Sequence, residues 1–475
     1  MLSICAAFFG HLNMMNVRYC HWKSNIRLDE ALEGKTDLDI LVHKDDRDRF
    51  ESALKEFGFK KILSPVEKQF PGLEDYLGFD YDTGRLVHLH VHYNLILGQR
   101  YIKNHHLPIE NLVLQNLTAR DDVCIPCPEL ELIMLIIRAH MKLDVVSIIK
   151  QIVKDLSQDP YTPFPDQIEK ELDDLIHKVD MDRLKELLQQ SRLPLPEELF
   201  IGFIARYSAR KLRASGIISD CRRIFSGLKA FRRRTSLGIY LEYVYRALWD
   251  LPGMGRFKPT KKKTLPGHGR VFALVGADGS GKSTLIEDIE KWLSWKLSVR
   301  RIYYGIPKNK LVEITARLIH GLRKIRLDKL ASLLDACLWI LIARNRYVLS
   351  LKAWEGSAMG EIVISDRFPL KEFHQMAEPM DGPRLKDLEI PAGLSLSSLE
   401  GHYYKEIKLP DRIFVLKVAL DEIRKRKTDL DIETHETKVD AVNLLQNNNY
   451  LVSVNANEPY EKVLLKVKTM IWDEL

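Results

Sequence analysis

The stretch Val271-Phe272-Ala273-Leu274-Val275-Gly276-Ala277-Asp278-Gly279-Ser280-Gly281-Lys282-Ser283-Thr284 decides how the second half of this 475-residue chain is read. An apolar run ends in a glycine-rich turn, and an amphipathic helix starting near Lys282 follows. The pattern Gly-x-x-x-x-Gly-Lys-Ser is complete from Gly276 to Ser283, in the strand–turn–helix context it needs. The glycines let backbone N–H groups curl around a phosphate without side chains in the way. The helix start adds unpaired N–H groups and a positive dipole end. A nucleoside triphosphate site is therefore expected at Gly276, Asp278, Gly279, Ser280, Gly281, Lys282, Ser283 and Thr284. Lys282 would reach the β- and γ-phosphates, and the Ser283 hydroxyl would hold Mg²⁺.

Composition sets outer bounds. The length suggests two to four domains, and 45% hydrophobic content is ample for packed cores. Six cysteines in so long a chain do not make a disulfide scaffold. Cys124-Ile-Pro-Cys127 is a lone pair with no second one, and reads as a strand or turn leading into a helix. The run Leu2 to Gly10 is apolar but lacks a basic leader, and reads as a buried helix start. No apolar stretch reaches ~18 residues, so no membrane span is expected and the cytoplasm is the expected location.

Four further strand-like runs follow the phosphate loop: Arg301 to Ile306, Glu361 to Ser365, Arg412 to Val418 and Tyr450 to Val454. Helical patterns separate them. With the first strand this predicts an α/β domain with a five-stranded parallel sheet. Glu361-Ile-Val-Ile-Ser-Asp366-Arg367-Phe368 ends in Asp-Arg, and functional residues gather at the carboxyl ends of such strands. Asp366 can hold Mg²⁺ or take an acceptor's proton, and Arg367 can clamp an anion. The basic run Asp421 to Lys427 follows a late strand. As a lid it would bring Arg424 and Arg426 to the transferring phosphoryl group.

Together, residues from about 268 to 475 resemble the thymidylate kinase family. The loop with its acidic Asp278, the Asp366-Arg367-Phe368 motif, the lid positions Arg424 and Arg426, Lys438-Val439 and the final strand Leu451 to Asn455 carry the likeness. It implies a P-loop kinase, with ATP and Mg²⁺ as cofactors and Lys282, Asp366, Arg367, Arg424 and Arg426 as catalytic residues. Two departures concern the acceptor. Pro369-Leu-Lys-Glu-Phe-His374 stands where small polar residues are expected, and Tyr303-Tyr-Gly-Ile-Pro307 stands where an Arg-Glu-Pro-Gly strand end is expected. The expected acceptor is another nucleotide, a sugar or a glycan-linked group. An ATP-driven switch or scaffold is the alternative. A place in surface-polysaccharide synthesis rests on association alone.

The first 127 residues read differently. Gly34-Lys-Thr-Asp37-Leu-Asp39-Ile-Leu-Val42 places Asp37 and Asp39 on one strand face and Leu38 and Ile40 on the other. Paired carboxylates repel, and are best tolerated around a cation such as Mg²⁺. This stretch resembles the nucleotidyltransferase superfamily, which implies an α+β domain. Lys23-Ser24 stands in place of the family's Gly-Ser turn. His88, His90 and His92 share one face of the later strand where a third carboxylate is expected. Either a histidine serves as general base with a near-neutral pKa, or the domain binds without turnover.

From Pro128 to about 250 the pattern is helical, with helices expected at 128–140, 165–190, 196–213 and 236–250. A Pro/Gly/Lys linker is expected at 251–267. Residues 206 to 263 hold 16 Lys or Arg against three acids, a net +13 in a chain whose total is +7. This is either a surface for an anionic membrane or polyanion, or a solvated helix face with a basic linker. Its aromatics sit at core spacing, so no specific nucleic-acid binding is expected. A homodimer is the remaining expected partnership.

Overall fold

The computed structural model of the chain describes residues 1–99, 102–157, 162–250, 262–307, 310–373, 381–385, 396–426 and 432–475. It divides into two compact units, Met1–Lys258 and Pro259–Leu475.

The first unit opens with α1 (Ser3–Met14), whose Cys5, Phe8, Phe9 and Leu12 are buried. A mixed sheet follows: β1 (Tyr19–His21), β2 (Leu38–Val42), β3 (Lys60–Ile62), β4 (Leu73–Phe79) and β5 (Leu86–His92), in spatial order β1-β2-β5-β4-β3. Strand β2 runs parallel to β5, and β4 runs antiparallel to it. Strand alternation gives the sheet two unlike faces. Leu38, Ile40, Val87, Leu89 and Val91 pack with α1, α2 (Leu28–Leu32) and α3 (Arg47–Glu56). Asp39, His88, His90 and His92 occupy the other face.

Two short hairpins follow: β6 (Ile96–Gln99) with β7 (Ile102–His106), and β8 (Leu117–Arg120) with β9 (Val123–Pro126), with α4 (Glu110–Gln115) between them. Cys124 lies on β9, Cys127 precedes α5 (Pro128–Lys142), and both are free thiols. Helix α5 is buried all round, as its continuous apolar sequence requires. It shares one core with Cys20, Trp22 and Leu41 of the sheet, so residues 128–250 belong to the same compact unit.

Around it lie α6 (Val145–Ser157), α7 (Asp166–Ile176), α8 (Met181–Ser191), α9 (Glu197–Ser208), α10 (Ala214–Gly227) and α11 (Ser236–Asp250). The single helix expected at 165–190 is two helices. Asp180 breaks it by capping α8, accepting from the N–H groups of Asp182 and Arg183. Helices α6 and α10 were not expected.

The second unit is built on five parallel strands: β10 (Arg270–Gly276), β11 (Val299–Tyr303), β12 (Ile362–Asp366), β13 (Arg412–Lys417) and β14 (Leu451–Asn455). Their spatial order is β11-β12-β10-β13-β14, so the strand before the phosphate loop is central. The parallel sheet matches the sequence expectation, and four strand positions do so within a residue or two; β11, expected at Arg301 to Ile306, ends three residues earlier. Connecting helices are α12 (Lys282–Leu293), α13 (Lys310–Lys324), α14 (Asp328–Ala358), α15 (Leu396–Glu406), α16 (Leu420–Arg426), α17 (Ile432–Leu444) and α18 (Tyr460–Glu474). Helices α14 and α17 cover the face carrying Val271, Ala273 and Val275.

Most of the expected linker, 251–261, lies outside the described residues. Its described end is structured. The Lys263 N–H donates to Lys296 O, its carbonyl accepts from Ser298, and the Leu265 N–H donates to Gly360 O. Among the described residues no helix is long and apolar enough to cross a membrane.

Candidate functional site

The phosphate loop is shaped by its glycines. Gly279 and Gly281 sit at φ +88° and +91°, in the left-handed region that glycine enters without strain. A Cβ on Gly276 would meet Ser280 Oγ at 2.7 Å and Leu416 O at 3.1 Å. Only a bare backbone fits between the loop and β13. Ser283 and Thr284 are exposed on the first turn of α12.

Lys282 is buried, and its ammonium donates to the carbonyls of Gly276 (2.6 Å) and Ala277 (2.7 Å). Burial lowers its pKa to about 8 against the pull of Asp278.

Parallel register sets Asp366 beside Leu274 at the carboxyl edge of the sheet. Its side chain is 5% exposed, and Oδ1 has no hydrogen-bond partner. Ser280 Oγ is buried and unpartnered as well. A buried carboxylate oxygen left unpaired is costly unless something binds it. With the exposed Ser283 hydroxyl nearby in sequence, this donor set fits a hard, oxygen-seeking cation.

Arg367 adopts φ +59°, which turns its side chain back toward the loop. It pairs with Asp278 at 3.0 Å and stands 3.9 Å from Asp381. Lys438 of α17 reaches Asp278 from the other side at 3.7 Å. These groups line a cavity of about 260 Å³ together with Tyr303, Phe368 and Arg384.

Sequence reasoning missed two members. Asp381 follows a stretch without periodicity, and burial pushes its carboxyl above the usual range against the pull of Arg346 and Arg367. Arg346, fully buried in α14, donates to Tyr304 O (2.7 Å), to both Asp381 O and Oδ1, and to the Tyr404 hydroxyl. An arginine amid an apolar helix stripe was the available signal.

The lid expectation fares differently. Arg424 is half exposed, pairs with Asp421 one turn back at 3.6 Å, and is not among the residues lining the cavity. The side chain of Arg426 lies outside the described residues, and so does His374.

The first unit carries a second polar cluster. His88 bridges Asp37 (Nδ1, 2.9 Å) and Asp75 (Nε2, 3.1 Å). His90 Nδ1 meets Asp39 Oδ1 at 2.9 Å and its Nε2 stands 3.9 Å from Asp75. His92 Nε2 lies 3.5 Å from Asp39 Oδ1. A third carboxylate, Asp75 on the neighbouring β4, joins the cluster, paired in register with His90. Strand neighbours in space are not written in local periodicity, so the sequence did not point to it.

Lys23, in place of a Gly-Ser turn, sets its ammonium 2.8 Å from Asp39. Burial pushes the Asp39 carboxyl up, but Lys23, the hydrogen bond with His90 and the nearby His92 imidazole outweigh it and hold it well below the usual range. Burial likewise lowers His90 and, more strongly, His92. Burial thus moves both imidazoles away from the near-neutral value expected of a general base.

Part of the basic run is internally neutralised. Arg206 pairs with Asp220 at 2.5 Å, and Arg234 with Glu242 at 2.8 Å. Arg246 is buried against Glu242 and lies over Phe70.

No family model matches the chain. It is 25% identical over 212 residues to the "Uncharacterized ATP-binding protein YghR" of Escherichia coli (strain K12), a match covering 41% of this chain and 83% of that protein. The protein of the same name from Escherichia coli O6:H1 matches equally. Among solved structures, thymidylate kinase from Candida albicans is similar at 20% identity and a TM-score of 0.27, covering 44% of this chain and 92% of that one. The chain is a distant relative of a protein named for ATP binding.

Proposed function

We propose that the second unit is a P-loop phosphotransferase that passes the γ-phosphoryl group of ATP to a small acceptor. The observation that carries this is the cavity lined by Gly276 and Asp278 of the phosphate loop and by the cations of Lys282, Arg367, Arg384 and Lys438, next to the strand end where Asp366 buries an unpartnered Oδ1. Loop N–H groups and Lys282 would bind the β- and γ-phosphates. Mg²⁺ held by Ser283 and Asp366 would neutralise charge on those phosphates. Arg367, freed from Asp278, would hold the transferring group, a role the sequence also assigns to Arg424 and Arg426. Asp381, with its raised carboxyl, stands where an acceptor hydroxyl would lose its proton.

The cavity's roughly 260 Å³ is below the ~300–1,000 Å³ of pockets that enclose a whole ligand. It suits the reacting groups, with the rest of the nucleotide in the open. Phe368 and Tyr303 beside Arg384 favour an acceptor with a flat or apolar face and an anionic or hydroxylated edge. A nucleotide, a sugar or a glycan-linked group meets that description. Incubating the chain with γ-labelled ATP and a metabolite extract, then finding by mass spectrometry what gains a phosphate, tests the proposal. Basal hydrolysis that no acceptor raises would favour an ATP-driven switch instead.

A second reading, nucleotidyl transfer by the first unit, draws on Asp37, Asp39 and Asp75 gathered on one sheet face. Asp37→Asn with Asp39→Asn should then remove label transferred from α-labelled nucleotides while sparing γ-transfer. Absence of α-label transfer in the wild type, with all four nucleotides, would leave a binding or scaffold role.

A further inference from the structure

We propose that Asp39, His90 and His92 form a three-ligand site for a divalent transition-metal ion of the zinc or cobalt type, and that Lys23 fills it with its ammonium when the metal is away. The proposal is independent of phosphoryl transfer in the second unit and needs no nucleotidyl transfer in the first.

The donor atoms are already gathered. Asp39 Oδ1 lies 2.9 Å from His90 Nδ1 and 3.5 Å from His92 Nε2, and one donor from each residue falls within 4.8 Å of the others. Ligands bound about 2.0–2.2 Å from an ion such as Zn²⁺ stand about 3–3.5 Å apart along a coordination edge. Little rearrangement is needed to bring a metal into their midst.

The donors are held on rigid elements. His90 and His92 are two residues apart on β5, and Asp39 is fixed opposite His90 on the parallel β2. The Trp22 ring stands edge-on to His92 at 5.1 Å and walls the inner side. His90 turns its other nitrogen toward Asp75. At 3.9 Å this is an electrostatic neighbour and not a hydrogen bond, so the ring is held by its place on β5.

Two independent observations point to a missing cation. His92 Nε2 is buried, with its side chain 5% exposed, and makes no hydrogen bond. Lys23 Nζ meanwhile sits 2.8 Å from the oxygen that a metal would share. Asp39 and His90 keep 13% and 20% of their side-chain surface open, which leaves a way in for an ion and room for further ligands.

The donor set also chooses the metal. One carboxylate oxygen with two imidazole nitrogens is a poor home for Mg²⁺, which seeks oxygen in octahedral array, and a good one for zinc-like ions. The expectation of Mg²⁺ held jointly by Asp37 and Asp39 changes accordingly, because the Asp37 carboxylate is turned to His88.

Titrating the chelator-stripped, full-length chain with Co²⁺ and recording its visible absorption tests this. One equivalent should bind with a nitrogen-ligated spectrum, and millimolar Mg²⁺ should not displace it. His92→Gln should weaken binding about tenfold or more, with circular dichroism checking that the variant is folded. Lys23→Met, which removes the competing ammonium, should bind more tightly than wild type. A wild-type chain that gives no such spectrum, or a folded His92→Gln that binds as wild type does, overturns the site. Unchanged affinity in Lys23→Met overturns the displacement by lysine.

Discussion

The two polar clusters of this chain treat their charges in opposite ways. At the phosphate loop, Asp366 Oδ1 and Ser280 Oγ are buried without partners, and four cations, Lys282, Arg367, Arg384 and Lys438, line a nearby cavity. On the sheet of the first unit, carboxylates and imidazoles alternate from Asp37 through His88, Asp75 and His90 to Asp39, hydrogen-bonded at each step but Asp75 to His90, which stand 3.9 Å apart. Buried polar groups cost free energy unless satisfied. The first cluster leaves oxygens open, whereas the second pairs most of its groups across three strands and leaves His92 Nε2 as its open donor position. Paired acidic residues in a sequence point to a charged site, but their neighbours decide whether that site is open.

The largest expected effect breaks the comparison outright. Lys282→Ala should lower acceptor-dependent ATP turnover by about a thousandfold, since its buried ammonium is the cation the loop places on the β- and γ-phosphates. Full turnover in that variant would mean that the loop is not the reacting site. Asp366→Asn should cost about a hundredfold, in kcat more than in KM, and a steady-state assay at several Mg²⁺ concentrations reads both.

A pH series sharpens the contrast next. The Lys282 pKa is lowered to about 8, so between there and its ordinary 10.5 the unfolded chain holds a proton that the folded, ligand-free chain has lost. In that window nucleotide binding must take up a proton, and affinity should fall by up to about tenfold per pH unit. Calorimetry in two buffers of different ionisation heat would detect the uptake, and an affinity flat from pH 7 to 10 would refute it.

The smallest effect belongs to the first unit. Burial raises Glu131, which accepts from the Asn25 N–H at the turn after Lys23, to about 7. A carboxyl raised in the folded state favours folding below its unfolded pKa of 4.5, and that contribution is lost as pH climbs through 7. Glu131→Gln should thus be more stable than wild type at pH 8, by about 1–3 kcal/mol, and close to equal near pH 4.5. Chemical denaturation at the two pH values compares them.

Much of the second unit could be read directly, because each of its strands is a local apolar run and its loop is a contiguous motif. The edges of β10, β12, β13 and β14 fall within a residue or two of the positions read from sequence. What escaped was assembled from afar. Asp381 and Arg346 meet only through the packing of α14 against the sheet, and Asp75 joins the histidines only through antiparallel register. Arg424 shows the limit from the other side: a basic run after a late strand suits a lid, and in the ligand-free chain this arginine pairs with Asp421 on its own helix.

Arg346 has a consequence for how this protein can diversify. One guanidinium fastens the end of β11 at Tyr304, the segment at Asp381 and the helix bearing Tyr404. The cavity wall of Tyr303, Asp381 and Arg384 adjoins that fastening, and Arg367 joins it to the phosphate loop, 3.0 Å from Asp278 and 3.9 Å from Asp381. On the proposed function, a change that keeps Arg346 and alters the wall should shift acceptor preference, whereas loss of Arg346 should unsettle the wall more than the loop seated between β10 and α12.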